Sequence, residues 1–164
     1  MPEHSQSSQS ESTEVSLRYK RAKFFAHLPR DRRYAASHYW MQHREAERWR
    51  VGFTPFALRM LGEPVEVDFE LENGTPLEAG QLVGWMEGFK AVTDLYAPMS
   101  GTFRGMNPSL GEDISAAKND PYGRGWLYEL DAPQTPGGVD ASLDADGYAG
   151  FLDGTIDRMM GEQG

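Results

Sequence analysis

Two apolar-rich runs of strand length, residues 81–86 and 91–97, lie on either side of a short break at residues 87–89. Runs of this kind around a glycine-containing break predict a β-hairpin, and Lys90 then falls at or beside its tip. Rigid β-structure would hold this lysine away from the domain as a solvated cation. An exposed amine is poorly suited to acid–base catalysis but well suited to carry a group that another enzyme attaches. The alternative is a lysine that only keeps the turn soluble.

A strictly alternating stretch at residues 65–71 predicts a strand with one buried and one exposed face. Its acidic residues share the exposed face, and we interpret them as a solvated sheet surface rather than a pair of catalytic carboxylates. The alternation places four apolar side chains on the buried face: Val65, Val67, Phe69 and Leu71.

Residues 54–62 carry the start and stop signals of a short helix, with Thr54 as N-cap, Pro55 as first helical residue and Gly62 as the stop. Short strands separated by turn signals predict a mainly β fold, a small sandwich or flattened barrel with short helices and a C-terminal helix. Further strands are predicted at residues 38–41, 49–53, 102–107 and 126–130, with an irregular or helical piece at residues 108–118.

Composition divides the chain into segments of different character. The first is rich in serine and glutamine and is predicted to be disordered. The second interleaves basic and aromatic residues, and we expect it to fold back onto the body of the protein or to contact a partner. The predicted organisation is a tail at 1–16, a basic-aromatic arm at 17–33, a β domain at 34–131, a linker at 132–138 and a C-terminal helical segment at 139–164.

Charge is placed unevenly along the 164 residues, whose formal net charge is −9. Residues 1–33 hold seven Lys+Arg against four Asp+Glu, whereas residues 34–164 hold nine against 21. An acidic body argues against nucleic acid and anionic membrane as partners, because both select basic surfaces. It suits docking to basic rims on partner enzymes. Cysteine is absent, so any redox chemistry requires a bound group.

The chain has four lysines, and only Lys90 and Lys118 lie beyond residue 34. The sequence around the first of them reads Glu-Gly-Phe-Lys-Ala-Val-Thr-Asp-Leu-Tyr-Ala-Pro-Met-Ser-Gly over residues 87–101. It resembles the lipoyl-attachment hairpin of the glycine cleavage system H-protein family, Glu-Ser-Val-Lys-Ala followed by Ser-Asp-Leu/Ile-Tyr-Ala/Ser-Pro-Val-Ser-Gly. Gly88 and Phe89 depart from that pattern. The resemblance extends over about residues 34–153, through His-Tyr-Trp at 38–40, Val-Gly-Phe-Thr at 51–54 and Asp-Pro-Tyr-Gly-Arg-Gly-Trp-Leu at 120–127.

This resemblance implies a lipoyl-domain fold of two small antiparallel sheets and a non-enzymatic carrier. It implies lipoate joined to Lys90, with Glu87 as the residue that marks the lipoylation site. The implied partners are a lipoylating enzyme, glycine decarboxylase, aminomethyltransferase and dihydrolipoyl dehydrogenase, between which a lipoyl-bound aminomethyl group is shuttled in the cytoplasm.

Two positions depart from the family pattern in the cleft that shelters the loaded arm. The family has a glutamate where this chain has Tyr39, and a histidine where it has Met60. A neutral phenol and a thioether sulfur accept weaker hydrogen bonds from an ammonium group than a carboxylate does. This departure keeps open the alternative of an H-like lipoate-binding protein of another pathway, such as heterodisulfide-reductase-like sulfur oxidation. A separate alternative is an unlipoylated interaction module that uses the same fold as a scaffold.

Overall fold

A computed structural model describes residues 15–133 and 143–163. The predicted tail, apart from its last two residues, lies outside these ranges, as do residues 134–138 of the predicted linker and the first four residues of the predicted C-terminal segment. Eleven strands and four helices are present in the part of the chain that is described. The strands are β1 (Ser16–Arg21), β2 (Phe24–Pro29), β3 (Arg33–Tyr34), β4 (Tyr39–Glu45), β5 (Arg48–Phe53), β6 (Pro64–Phe69), β7 (Pro76–Leu77), β8 (Leu82–Gly88), β9 (Val92–Tyr96), β10 (Gly101–Met106) and β11 (Tyr128–Asp131). The helices are α1 (Pro55–Leu61), α2 (Ser109–Glu112), α3 (Ala116–Asn119) and α4 (Ala145–Gln163).

All strand pairs are antiparallel, and the mainly β fold with a C-terminal helix is confirmed. A six-stranded sheet has the order β3-β4-β5-β11-β10-β7, and a three-stranded sheet has the order β6-β8-β9. Side chains from both sheets form the main core, among them Met41, Val51, Met86, Leu95 and Leu130. Among the described residues, no helix has the length and apolar character needed to cross a membrane.

A third sheet is the two-stranded hairpin β1-β2, formed by the segment that contains the basic and aromatic residues. Its inward side chains and the apolar face of α4 form a second core. Hydrogen bonds and ion pairs add to this contact: the Tyr19 hydroxyl donates to Asp153 over 2.8 Å, and Arg21 pairs with Asp157 at 2.7 Å. The hairpin is therefore a packed element, held mainly by apolar burial. The buried residues of this core include Tyr19, Phe24, Leu28, Leu152 and Ile156.

The predicted buried face of the alternating strand is wrong at one position. Val65 is 42% exposed, whereas Val67 and Phe69 pack against the main core. The reason is a β-bulge: Pro64 pairs with Gly88 and Glu66 pairs with Glu87, so that Val65 is the extra residue. A bulge interrupts the alternation of side chains, and Val65 consequently faces solvent.

Two further boundaries differ from the predictions. The C-terminal helix begins at Ala145, because Leu143 forms an isolated antiparallel bridge with Tyr34 instead of a helical turn. Strand β11, which is the last described strand along the chain, begins at Tyr128 rather than at Trp126. The helix predicted at 54–62 is present as α1, and the side-chain oxygen of Thr54 accepts a hydrogen bond from the N–H of Ala57 as an N-cap does.

Candidate functional site

Lys90 lies in the turn between β8 and β9, and this turn is fixed to the end of helix α1. The N–H of Lys90 donates to the carbonyl oxygen of Leu61 over 2.9 Å, and the N–H of Phe89 donates to that of Glu63 over 3.0 Å. A hydrogen bond of 2.8 Å from the N–H of Gly88 to the carbonyl of Ala91 closes the turn. The backbone of Lys90 is thus held from two sides while its side chain stays exposed.

The glycine that replaces the family's serine before Phe89 is explained by this contact. Gly88 is buried, and a Cβ at this position would overlap the carbonyl oxygen of Leu61. The close approach of α1 to the hairpin therefore requires glycine here. Phe89, the other departure from the family pattern, is 81% exposed and contributes its ring to the surface beside Lys90.

The amine of Lys90 donates a hydrogen bond from Nζ to the carbonyl oxygen of Arg59 over 3.1 Å. Arg59 lies in the last turn of α1, where carbonyl groups lack partners within the helix. A cation is favoured at this end of a helix, but an uncharged amide N–H can make the same hydrogen bond. Acylation of Nζ would thus remove the charge and keep a donor for Arg59.

Glu87 lies near the end of β8, three residues before the lysine, and is half-buried. Its Cα partners are Glu66 on β6 and Val92 on β9. Met86 beside it is fully buried, so the alternation of the strand turns Glu87 to the outer face of the three-stranded sheet. The structure brings Glu87 to the same end of the hairpin as Lys90.

A cleft of about 390 Å³ opens next to the hairpin, between β9, α1 and the start of β4. Tyr39 and Met60, the two positions that depart from the family pattern, both line it. Tyr39 stacks on Phe53 with ring centroids 5.2 Å apart, and its hydroxyl oxygen accepts a 2.9 Å hydrogen bond from the N–H of Tyr96. Burial raises the pKa of Tyr39 to about 12, which keeps the phenol neutral. The cleft wall is therefore uncharged at Tyr39, whereas Asp94 on β9 adds an acidic side chain to its lining.

Sequence reasoning did not identify the role of His38, which lies on the rim of this cleft. Its Nδ1 is 2.7 Å from the hydroxyl oxygen of Tyr148, which lies 2.7 Å from Oγ1 of Thr54. Burial lowers the pKa of His38 to about 4, so the imidazole is neutral at pH 7. This network links the cleft to helix α4. His38 has a positive φ of 76°, and no sequence pattern signals this backbone conformation.

A larger cleft of about 670 Å³ lies at the turn between β4 and β5. Four of its charged side chains form ion pairs: Arg48 pairs with Asp131 at 2.6 Å and Arg50 pairs with Glu129 at 2.9 Å. The pKa of Asp131 is lowered chiefly by its hydrogen bond to Arg48. These residues form a satisfied ion-pair network on the surface of the sheet, and we assign no binding role to it.

Comparison with known proteins places these features in a family. The family model described as Glycine cleavage H-protein matches residues 32–153. The glycine cleavage system H protein of Mycobacterium avium (strain 104) is 40% identical over 128 residues, which cover 76% of this chain and 96% of that protein. The protein of the same name from Shewanella sp. (strain ANA-3) is 35% identical over 128 residues, which cover 78% and 98%.

A solved structure agrees with both relatives. The crystal structure of a glycine cleavage system H protein from Mycobacterium marinum has a TM-score of 0.64 and 38% sequence identity to this chain, and covers 75% of it and 97% of its own length. These matches do not favour the alternative of a carrier for sulfur oxidation. The chain belongs to the glycine cleavage H-protein family, whose members are lipoyl carriers of the glycine cleavage system and not themselves catalysts.

Proposed function

We propose that Lys90 is the lipoyl-bearing residue of this carrier and that its arm moves an aminomethyl group between the glycine cleavage enzymes in the cytoplasm. The observation that supports the proposal most directly is the fixed position of an exposed amine. The turn of Lys90 is hydrogen-bonded to Leu61 and Glu63 through backbone atoms. Its side chain is exposed, and an amide N–H at Nζ could keep the hydrogen bond that the amine makes to the carbonyl oxygen of Arg59.

The attachment is a condensation between the lipoate carboxyl group and Nζ, in which an amide bond forms and the elements of water are lost. Bound in this way, lipoate supplies the redox-active pair of sulfur atoms that a chain without cysteine cannot provide. A rigid hairpin at the base of a flexible arm raises the effective concentration of those sulfurs at each partner site. The chain itself provides Lys90, to which lipoate would be attached, and the cleft beside it.

The partners we propose are a lipoylating enzyme, glycine decarboxylase, aminomethyltransferase and dihydrolipoyl dehydrogenase. Glu87 is proposed as the residue that the lipoylating enzyme recognises. Its position on the outer face of β8, at the end that carries Lys90, supports this role.

Intact-mass analysis of protein made with lipoate and a lipoylating system tests the attachment. We expect the mass of one lipoyl group on the unmodified chain and on Lys118→Arg, and none on Lys90→Arg. Lys118 is a matched control, because it is also exposed and lines the same groove as Lys90. Mass that survives Lys90→Arg would refute the assignment, and absence of mass on the unmodified chain would favour an unlipoylated interaction module.

The role of Glu87 is tested by the rate of the same reaction. Glu87→Gln should slow lipoylation by about tenfold or more, since a recognised carboxylate would lose its charge-assisted hydrogen bonds. Glu66→Gln is the control, because Glu66 is the Cα partner of Glu87 on the neighbouring strand. Equal rates for the two variants would contradict recognition through Glu87.

A further inference from the structure

The hairpin β1-β2 precedes residue 32, where the match to the family begins. It is nevertheless built into the structure, because Phe24 and Leu28 are buried at 7% and 1% exposure against α4 and α1. Its tip at Ala22 and Lys23 extends toward the end of α1 that holds the Lys90 turn. An element outside the family's common domain thus reaches the surroundings of the proposed arm.

Between this tip, α1 and α4 lies a groove of about 340 Å³, which we call the hairpin groove. Most of its walls are apolar, and two of the methionines are exposed, Met60 at 46% and Met160 at 53%. Methionine side chains are flexible and adapt to the shape of a bound partner. Exposed apolar side chains that line one groove favour binding of another molecule. The apolar residues that form the walls include Phe24, Phe56, Met60, Ile156, Met159 and Met160.

The rim of the hairpin groove is basic. Arg21, Lys23 and Arg59 line it, and no acidic side chain does so among the described residues. Arg21 is paired with Asp157, but within residues 15–133 and 143–163 neither Lys23 nor Arg59 forms an ion pair. Two unpaired cations around an apolar groove contrast with a body that holds nine Lys+Arg against 21 Asp+Glu. This contrast defines the chemistry of the partner, which must supply negative charge and an apolar side chain.

The groove adjoins both parts of the proposed carrier site. Met60 lines the hairpin groove on one side and the cleft of Tyr39 on the other. Phe24 and Arg59 line the hairpin groove and also the groove that contains Lys90. The guanidinium of Arg59 lies 5.8 Å from the ring centroid of Phe24, within the range of a cation–π contact. A partner seated here would be in contact with the surroundings of the arm's base.

We propose that the hairpin groove docks one of the glycine cleavage enzymes through an acidic segment with an apolar anchor. The inference rests on the proposed function, because it takes the occupant to be an enzyme that acts on the arm. Charge complementarity selects a protein rather than a nucleic acid, since the acidic body around the groove would repel a continuous phosphate backbone.

The test measures binding of the full, unlipoylated chain to each of the three immobilised enzymes, glycine decarboxylase, aminomethyltransferase and dihydrolipoyl dehydrogenase from the same organism. We expect Lys23→Glu to weaken binding to at least one enzyme by about tenfold at about 20 mM salt and by less at about 200 mM. Met160→Asp should weaken it at both salt concentrations, because it removes an apolar contact, and more strongly at low salt, because it also places a negative charge against the acidic segment.

Two variants serve as matched controls. Arg44→Glu makes the same charge change in the turn between β4 and β5, and Leu82→Asp makes the same polar change at a 50% exposed residue at the start of β8. Both should bind as the unmodified chain does, and all four variants should keep its melting temperature. Binding to none of the three enzymes would overturn the proposal, as would equal losses in the groove variants and the controls. Binding only to a single-stranded DNA oligonucleotide, abolished by Lys23→Glu, would overturn it as well. Because the protein is unlipoylated, a failure of Lys90 to accept lipoate leaves this test intact.

Discussion

A Cβ atom on Gly62 would lie 2.9 Å from Cγ of Lys90 and 3.0 Å from its backbone nitrogen. Gly62 ends helix α1 with a φ of +83° and a ψ of −168°, a conformation that other residues rarely adopt. Because Gly62 has no side chain, the end of helix α1 packs directly against the turn that carries Lys90. The position of Lys90 depends on this contact.

Gly62→Ala should lower the free energy of unfolding by about 2 kcal/mol, through backbone strain and the contact with Lys90. It should also slow the proposed lipoylation, because the turn is displaced from α1. Urea unfolding and intact-mass kinetics measure the two effects. Gly74→Ala is the control: Gly74 has a φ of +99°, but a Cβ atom there would have no neighbouring atom within 4 Å. It should lose stability and keep the lipoylation rate, and a similar slowing in both variants would contradict the proposed role of the contact.

Substitution of two adjacent phenylalanines tests whether apolar burial holds the β1-β2 hairpin in place. Phe24 is 7% exposed and packs edge-on against Phe56, with ring centroids 5.5 Å apart, whereas Phe25 is 56% exposed. Phe24→Ala should lower the free energy of unfolding by about 3–4 kcal/mol, as truncation of a buried aromatic does. Phe25→Ala should change it by about 0.5 kcal/mol or less. Urea unfolding measures both, and similar losses would show that the hairpin does not pack as described.

Varying the salt concentration distinguishes the contribution of ion pairs to this packing from that of apolar burial. The ion pairs of Arg21 and Arg30 with α4 are solvent-exposed on at least one side, and such pairs contribute about 0–1 kcal/mol each. The loss caused by Phe24→Ala should therefore be nearly the same at low and high salt. A loss that disappears at high salt would indicate that charge, rather than apolar burial, holds the hairpin.

The sequence predicts the β8-β9 hairpin and does not predict the β1-β2 hairpin. The Lys90 hairpin follows from two apolar runs around a glycine-containing break, and the structure places its strands at Leu82–Gly88 and Val92–Tyr96. The first hairpin was not predicted as strands. Its turn contains Ala22 at a φ of 54° instead of glycine or asparagine, so the usual turn signal is missing. Its outward basic residues also obscure the inward alternation of Phe24, Ala26 and Leu28.

The candidate site likewise has features that the sequence predicts and features that it does not. Lys90 and Glu87 could be identified by their match to the family pattern, and Tyr39 and Met60 by their departure from it, because that pattern depends on residue identity and order. The hydrogen bonds of the Lys90 turn to Leu61 could not be predicted, because they join residues 29 positions apart through backbone atoms that carry no sequence information. The exposure of Val65 depends on a bulge, which the alternating pattern does not contain.

His38 gives the protein a specific dependence on pH. Its pKa is lowered by burial from 6.5 to about 4 in the folded state, so between these values the unfolded chain binds more protons. The free energy of unfolding should therefore fall as pH decreases from about 6.5 to about 4, by on the order of 3 kcal/mol at most.

His38→Asn removes this titration at a position where asparagine tolerates the positive φ. In urea unfolding, the difference in stability between the unmodified chain and His38→Asn should therefore shrink or reverse as pH falls through this window. Stability curves for the unmodified chain and His38→Asn that stay parallel through this window would show that the imidazole of His38 is solvated.

Tyr39 tests whether the family's carboxylate can be restored in this cleft. The residue is 3% exposed, stacks on Phe53 and accepts the N–H of Tyr96. Tyr39→Phe should lower the free energy of unfolding by about 1–2 kcal/mol, because it leaves that N–H without an acceptor. Tyr96→Phe is the control, since its hydroxyl only donates to Asp94 at the surface over 3.3 Å, and it should have little effect.

Tyr39→Glu should be less stable than Tyr39→Phe, because burial disfavours the charged carboxylate and raises its pKa. A carboxyl group with a raised pKa in the folded state binds protons that the unfolded state releases, so stability is lost as pH rises. The deficit of Tyr39→Glu relative to Tyr39→Phe should thus be larger at about pH 7 than at about pH 5. Met60→His, at a 46% exposed position on the cleft rim, should be tolerated. Urea unfolding at the two pH values decides the question: a deficit that does not change with pH would mean that the new carboxylate reaches water, and that the cleft can accept the family's charged residue after all.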